Sequence, residues 1–256
     1  PRNDGLPIAR AKNFMIIKTA LIWATKKLEK SASAALDAEV LIAFAMKKNK
    51  KWLFGNPEQV LKIRAAKNFK NLIERRGRGE PVAYLTGVKE FYGYNFKITK
   101  DVLVPRPLTE KLVSEALKYI SKTKKSLLRA KPIWPLAIAD IGTGSGCIII
   151  ALAKKLSETE NLTHFTFYAT DISRQALRVA RYNAKLHGLN NTIKFFHGPI
   201  LKPLRDKQID LILANLPYLS KTDFKKEPSI KKEPRLALIG DLYPKLFKQT
   251  ANLKKS

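Results

Sequence analysis

The sequence predicts an α/β fold: a Rossmann-like parallel sheet covered by helices, preceded by a small helical domain and a β-hairpin linker. Three observations predict it. From residue 136 onward, short runs rich in β-branched and aromatic residues alternate with helical segments, as in parallel strands joined by crossover helices. The first of these runs, LAIAD, passes into a glycine loop, IGTGSG, and then into a helix, CIIIALAKKL. Before residue 80 the apolar residues recur only at helical spacing.

In chain order, residues 13–76 read as helical. LDAEVLIAFAMKK sets Leu36, Val40, Ala43 and Phe44 on one face, and PEQVLKIRAAKNFKNLIERR sets Val60, Ile63, Leu72 and Ile73 in a similar pattern; Gly77 and Gly79 end the region. From Pro81 to Val104 aromatic and β-branched residues with glycines suggest a β-hairpin. Beyond Pro107, TEKLVSEALKYI is a helix leading through a basic, proline-punctuated stretch to residue 136. FTFYATD is the second strand, and Ser173 can cap the helix RQALRVARYNAKLHG, which closes at Gly188. TIKFFHG and IDLILAN follow as the third and fourth strands. The expected division is a helical domain over 1–80, a hairpin linker over 81–107 and a sheet domain over 108–256.

A chain of 256 residues, 45% hydrophobic, can bury one sizeable core, or a core and a small companion. Its apolar runs fall short of the roughly 20 residues that a membrane span needs. No segment has signal-peptide order, so the expected location is cytoplasmic. A single cysteine, Cys147, fits a reducing compartment and excludes an internal disulfide or a Cys-rich metal site, and His164, His187 and His197 have no metal spacing. The net charge of +28 favours polyanionic surroundings. Only 13 of the 49 basic residues are Arg, the usual residue for bidentate readout, and the lysines are spread through every segment. Two readings stay open: a compositional bias towards Lys, or a role near RNA or a ribosome.

The chemistry gathers at the carboxyl ends of the strands, where such sheets bind ligands. Asp140, Gly142, Gly144 and Gly146 form D-x-G-x-G-x-G after the first strand, and the glycines permit positive φ and close approach of a ligand to the backbone. An adenosine moiety fits there; a tight structural turn would carry the same glycines. Asp171, at the end of the second strand, is placed to accept hydrogen bonds from ribose hydroxyls. No G-x-x-x-x-G-K-[ST] marks a triphosphate site.

The fourth strand ends on Asn215, Leu216, Pro217 and Tyr218. A planar amide or exocyclic amine is a poor nucleophile because its lone pair is delocalised, so it needs aiming. The Asn215 side-chain oxygen and the Leu216 carbonyl can each accept one N–H, Pro217 holds Leu216 extended, and Tyr218 can stack on a flat substrate. The plainer alternative is a strand ending in an ordinary turn with a buried Tyr.

GEPVAYLTGVKEFYGYNFKITKDVLVPRPLTE, ADIGTGSGCIIIALA, ATDISRQALRVARYNA, ILANLPY and EPRLAL together resemble the release-factor glutamine methyltransferase family, PrmC/HemK, over roughly residues 31–240. The glycine loop is common to many methyltransferases; the hairpin followed by PRP and TE, with EPRLAL after the strand-end motif, is far more specific. The resemblance implies a class I methyltransferase sheet and methyl transfer from S-adenosylmethionine to the side-chain amide of the glutamine in the Gly-Gly-Gln loop of peptide chain release factors. Matched position by position, it implies that Gly142, Thr143, Gly144, Ser145 and Gly146 form the cofactor loop and that Asp171 binds the ribose. It implies that Ile200 packs beside the adenine and that Asn215, Leu216, Pro217 and Tyr218 correspond to the family's Asn-Pro-Pro-Tyr.

This chain departs from the pattern at Leu216, at Pro199 where the family usually has Asp, and at Leu108 where it usually has an acid, although Glu110 remains. Two rivals stand beside the reading: an adenine N6 methyltransferase acting on rRNA or DNA, and an inactive basic binding module derived from a methyltransferase. The expected protein partner is a release factor, with ribosome or RNA proximity open, no membrane and a monomeric state. The family's sheet continues beyond its fourth strand, so a shortened sheet with the fourth strand at its edge is expected here. A chain starting at Pro1 is expected to be an incomplete product, and its activity weak or absent.

Overall fold

The computed structural model describes residues 15–127, 135–226, 230–251 and 253. Most of the basic stretch before residue 136 lies outside them. Contacts divide the chain into two compact units, 1–86 and 87–256, so the division falls within the 81–107 segment.

The first unit holds α1 (Ile17–Lys27), α2 (Ala34–Met46), α3 (Lys50–Gly55), α4 (Ile63–Gly77) and α5 (Val82–Thr86). Asn49 caps α3 by accepting the Trp52 N–H at 2.8 Å. The core gathers Ile17, Leu41, Ile42, Leu53, Phe69, Leu72 and Ile73, with Trp23 edge-on to Phe69. The expected face of α2 is corrected: Leu36 and Phe44 are exposed, and Asp37, Ala38, Leu41, Ile42 and Ala43 are buried. AALDAEVLIAFAM is apolar on nearly every side, so periodicity could not choose a face. Polar contacts mark the inward one: Asp37 accepts from the nearby Ser31 at 3.1 Å and Ser33 at 3.0 Å, and from the distant Arg76 at 2.7 Å. Leu72 and Ile73 of α4 are buried as expected, but Ile63 and Val60 are exposed, because they belong to the helix start and the segment before it. Helix α5 replaces the first part of the expected hairpin. The Pro81 carbonyl accepts from Tyr84 and Leu85, and Gly87 at φ +74° stops the turn.

The second unit opens with the hairpin, β1 (Val88–Phe91) and β2 (Tyr94–Lys97), antiparallel through a tight turn with Tyr92 and Gly93 both at positive φ. A 3-10 turn over Pro107–Thr109 leads into α6 (Glu110–Leu127). Then follow β3 (Leu136–Ile141), α7 (Cys147–Ser157), β4 (Phe165–Asp171), α8 (Arg174–Leu186), β5 (Ile193–His197) and β6 (Leu211–Ala214). The strands form a parallel sheet in the order β5-β4-β3-β6, which confirms the α/β class and the four expected strands. Ser173 caps α8 as read, accepting the Ala176 N–H at 3.1 Å, and Gly188 closes it at φ +73°. β3 is buried at every position, as a central strand covered on both faces must be. The short helices α9 (Lys221–Lys226) and α10 (Tyr243–Thr250) follow, and Leu246 of α10 packs with Ile141, Ile200, Leu204 and Leu216. Among the described residues no helix is long and apolar enough to cross a membrane.

Candidate active site

The glycine loop is built by the carboxyl end of β4. Gly142 and Thr143 both donate their N–H to the Thr170 carbonyl at 2.9 Å, and Gly146 donates to the Thr143 carbonyl at 2.8 Å, turning the chain into α7. Gly146 must be glycine on two counts. Its φ is +80°, and an added Cβ would stand 2.9 Å from Ile150 Cδ1 and 3.2 Å from Ala180 Cβ. Thr143 and Ser145 turn inward, 3% and 2% exposed, so they offer a ligand backbone and not side chain. Thr143 Oγ1 donates to Asp140 Oδ2 at 2.6 Å. Asp140 is wholly buried, and its Oδ1 has no hydrogen-bond partner among the described residues. Burial pushes its pKa up to about 7, against the Thr143 bond, which favours the anion.

Asp171 ends β4 and is half-buried. Its two oxygens are both engaged: Oδ2 accepts the Gly144 N–H at 2.9 Å and Oδ1 the Ser173 N–H at 2.8 Å. Burial raises its pKa, and these backbone bonds oppose the rise. Each carboxylate oxygen keeps further lone-pair capacity. Asp171 therefore shapes the glycine loop as well as facing it.

Asn183 is a loop-building residue that the sequence reading missed. Fully buried on α8, it donates to the Ser145 carbonyl at 2.8 Å and to the Lys97 carbonyl at 3.0 Å, and accepts the Lys97 N–H at 2.8 Å. One amide thus fastens the glycine loop to the end of the hairpin. The available signal was an Asn sharing the apolar face of an otherwise regular amphipathic helix with Ala176, Ala180 and Ala184.

The strand-end motif lies beside this loop. Ile141 pairs in register with Ala214, and a Cβ built on Gly142 would meet Leu216 Cδ2 at 3.0 Å. Leu216 is buried, whereas Tyr218 is 69% exposed, so the alternative of a strand end with a buried Tyr does not hold. Ala214 to Leu219 line a cavity of about 450 Å³, shared with Leu103, Arg106, Leu108, Thr109, Leu112, Ala237 and Leu238. The Asn215 amide nitrogen donates to Thr109 Oγ1 at 3.2 Å. After the motif the chain pairs with residues 238–240: Leu219 donates to the Leu238 carbonyl at 3.0 Å and Gly240 to the Leu219 carbonyl at 3.2 Å. Glu233, 5% exposed, accepts the Val104 N–H at 3.0 Å and pairs with Arg106 at 2.5 Å. VPRPLTE and EPRLAL, far apart in sequence, are therefore the two walls of one pocket around Asn215.

Residues 19–87 match the family model of the PrmC N-terminal domain, and residues 118–254 that of N-6 DNA Methylase. The release factor glutamine methyltransferase of Coxiella burnetii is 39% identical over 210 residues, covering 82% of this chain and 69% of that protein. The chain belongs to the release factor glutamine methyltransferase family. The family's protein from Moorella thermoacetica is 37% identical over 88% of this chain and 75% of its own length, and that from Bacillus cereus 32% over 93% and 82%. A looser likeness links the chain to the crystal structure of the hMettl16 catalytic domain, at 16% identity and TM-score 0.47 over 77% of this chain and 67% of that one.

The remaining positions singled out for this family lie close by. Ile200, at φ +52°, is buried with Ile141 and Leu216, and its carbonyl accepts from Thr170 Oγ1 at 2.9 Å. Pro199 is exposed. Leu108 is 70% exposed at the cavity rim, and Glu110 accepts the Tyr92 N–H at 3.1 Å, holding the hairpin turn.

Proposed function

We propose that the chain transfers a methyl group from S-adenosylmethionine to the side-chain amide nitrogen of the glutamine in the Gly-Gly-Gln motif of peptide chain release factors. One observation carries the reading: the Asn-Leu-Pro-Tyr strand end opens into a pocket walled by VPRPLTE and EPRLAL, directly against the glycine loop. Relatives of the family match this chain across both units.

The residues fit the cofactor. A Cβ on Gly144 would meet only the Gly142 carbonyl, at 4.0 Å, so there is room beside the loop for a ligand to approach the backbone. We assign Gly142, Thr143, Gly144, Ser145 and Gly146 to the cofactor through their backbone, and Asp171 to the ribose hydroxyls through its spare lone pairs. Ile200 stands at the adenine side, and Asn215 borders both sites. S-adenosylmethionine supplies an electrophilic methyl on a sulfonium. The protein aims the substrate: Asn215 Oδ1 and the Leu216 carbonyl each accept an N–H of the substrate amide, which fixes its plane and directs the nitrogen lone pair. Pro217 keeps Leu216 extended, so Leu in place of the family's first Pro preserves the carbonyl that is used. Tyr218, exposed at the pocket mouth, covers the flat amide. The amide nitrogen gains positive charge as it is methylated, so its proton can leave late and no general base is assigned.

Residues 1–80 are assigned to substrate recognition, 81–107 to a linker that carries the hairpin, and 108–256 to methyl transfer. The protein works as a cytoplasmic monomer beside the translation machinery, where its basic surface is compatible with nearby RNA. The N-6 DNA Methylase match favours a second reading, methylation of an adenine amine, which the same strand-end geometry could hold.

Purified protein with methyl-labelled S-adenosylmethionine, offered release factor and rRNA in parallel, separates the two. Label on the release factor glutamine, persisting at moderate salt, is expected. Label confined to rRNA, with affinity falling steeply as salt rises, would establish the second reading.

A further inference from the structure

An asparagine amide has nearly the same shape whichever way it is turned, but its two ends do opposite things: one accepts a hydrogen bond and the other donates. If Asn215 is to accept from a substrate NH₂ group, its own NH₂ must point elsewhere and stay there. A flipped amide would set donor against donor. At the end of a strand, with solvent in reach, nothing in the side chain itself selects the useful orientation.

The structure supplies a partner. Asn215 Nδ2 donates to Thr109 Oγ1 at 3.2 Å, and both residues line the same cavity. Thr109 closes the Pro107–Thr109 turn, where its N–H donates to the Arg106 carbonyl at 3.0 Å. Arg106 is in turn held by the buried Glu233. The hydroxyl is thus presented from a braced turn and not from a free loop.

We infer that Thr109 is a positioning residue: it holds the Asn215 amide with its nitrogen turned away and its oxygen left to accept the substrate N–H. The inference rests on the proposed amide methylation, and it assigns a role to a residue that would touch neither the methyl group nor the reacting nitrogen.

Three variants test it: Thr109→Val, which keeps the shape and loses the acceptor, Thr109→Ser, which keeps the hydroxyl, and Thr109→Val combined with Asn215→Ala. Labelled methyl transfer to a release factor is followed alongside calorimetric binding of S-adenosylmethionine. Thr109→Val is expected to lower kcat roughly tenfold, the worth of one aligned hydrogen bond, with cofactor affinity unchanged. Thr109→Ser should restore most of the rate, and in the Asn215→Ala background Thr109→Val should cost nothing further, because its effect runs through Asn215. Full turnover in Thr109→Val, loss of cofactor binding together with activity, or an additive loss in the double variant would each overturn the assignment. An unmutated chain that leaves the release factor unlabelled would instead overturn the functional reading on which it rests.

Discussion

Replacing Asp171 by Ala tests two roles at once, and the structure allows them to be separated. The carboxylate accepts the Gly144 N–H at 2.9 Å and the Ser173 N–H at 2.8 Å, so truncation strands two part-buried donors. Hydrogen bonds to a charged group are worth about 1.5 to 3 kcal/mol each. Part of that loss is offset, because removing the group also removes the cost of burying its charge, the same burial that raises its pKa. The net loss of stability should be about 1 to 3 kcal/mol, read by urea denaturation. Lost ribose contacts should weaken S-adenosylmethionine binding by a further 1 to 3 kcal/mol or so, about 5- to 150-fold in Kd. Calorimetry at a temperature where the variant is fully folded reads this second effect free of the first. A folded Asp171→Ala protein with unchanged cofactor affinity would make Asp171 a loop anchor alone and remove it from the ribose site.

Asn215→Ala should lower methyl transfer by about a hundredfold or more while leaving cofactor affinity largely intact, since it removes an acceptor that aims the nucleophile; turnover close to the unmutated rate in single-turnover assays would defeat that mechanism. Gly146→Ala combines a left-handed residue at φ +80° with a Cβ 3.2 Å from Ala180 Cβ, and should cost about 2 to 4 kcal/mol in urea denaturation. An unchanged midpoint would mean that the loop relaxes freely. For Asp140, a folded pKa raised from 3.8 to about 7 means that the folded state keeps a proton the unfolded chain has released. Its contribution to stability is therefore complete below pH 3.8 and is lost as pH rises to about 7, and Asp140→Asn should flatten the stability curve across that window. Parallel curves for the two proteins would contradict the shift.

The sheet was legible because its signals are local. LAIAD, FTFYATD and IDLILAN are apolar and β-branched, Ser173 and Gly188 punctuate α8, and the glycines of the first loop sit where positive φ is needed. The wrong face of α2 had the opposite cause. In AALDAEVLIAFAM nearly every position is apolar, and the inward side is set by Asp37 meeting Arg76, a contact 39 residues away in sequence. Helix α5 was hidden by VAYLT, whose β-branched and aromatic content favours a strand, until the Pro81 carbonyl and the Gly87 stop are seen to frame one turn. Asn183 illustrates the same limit. Its residue type is legible, but its three hydrogen bonds reach Ser145 of the glycine loop and Lys97 at the end of the hairpin, which only the fold brings together.

The pocket brings the distinctive motifs of this chain together. Arg106 carries a charge that Glu233 balances, and Glu233 is too deeply buried to tolerate losing its partners, Arg106 and the Val104 N–H. The PRP turn and the EPR turn are therefore tied by one ion pair, and each holds a different wall: Leu108, Thr109 and Leu112 on one side, Ala237 and Leu238 on the other. On the proposed assignment the glycine loop addresses only the nucleotide and leaves the methyl acceptor to the neighbouring pocket. The space around Asn215 is drawn by residues that lie outside the glycine loop. The departures follow the same division. Leu108 lies at the exposed rim and Pro199 on the surface, whereas Leu216 fills the contact with Gly142 and is buried. A substitution at the rim alters what the pocket meets first, while one at Leu216 must preserve both the packing against the loop and the carbonyl beside Asn215.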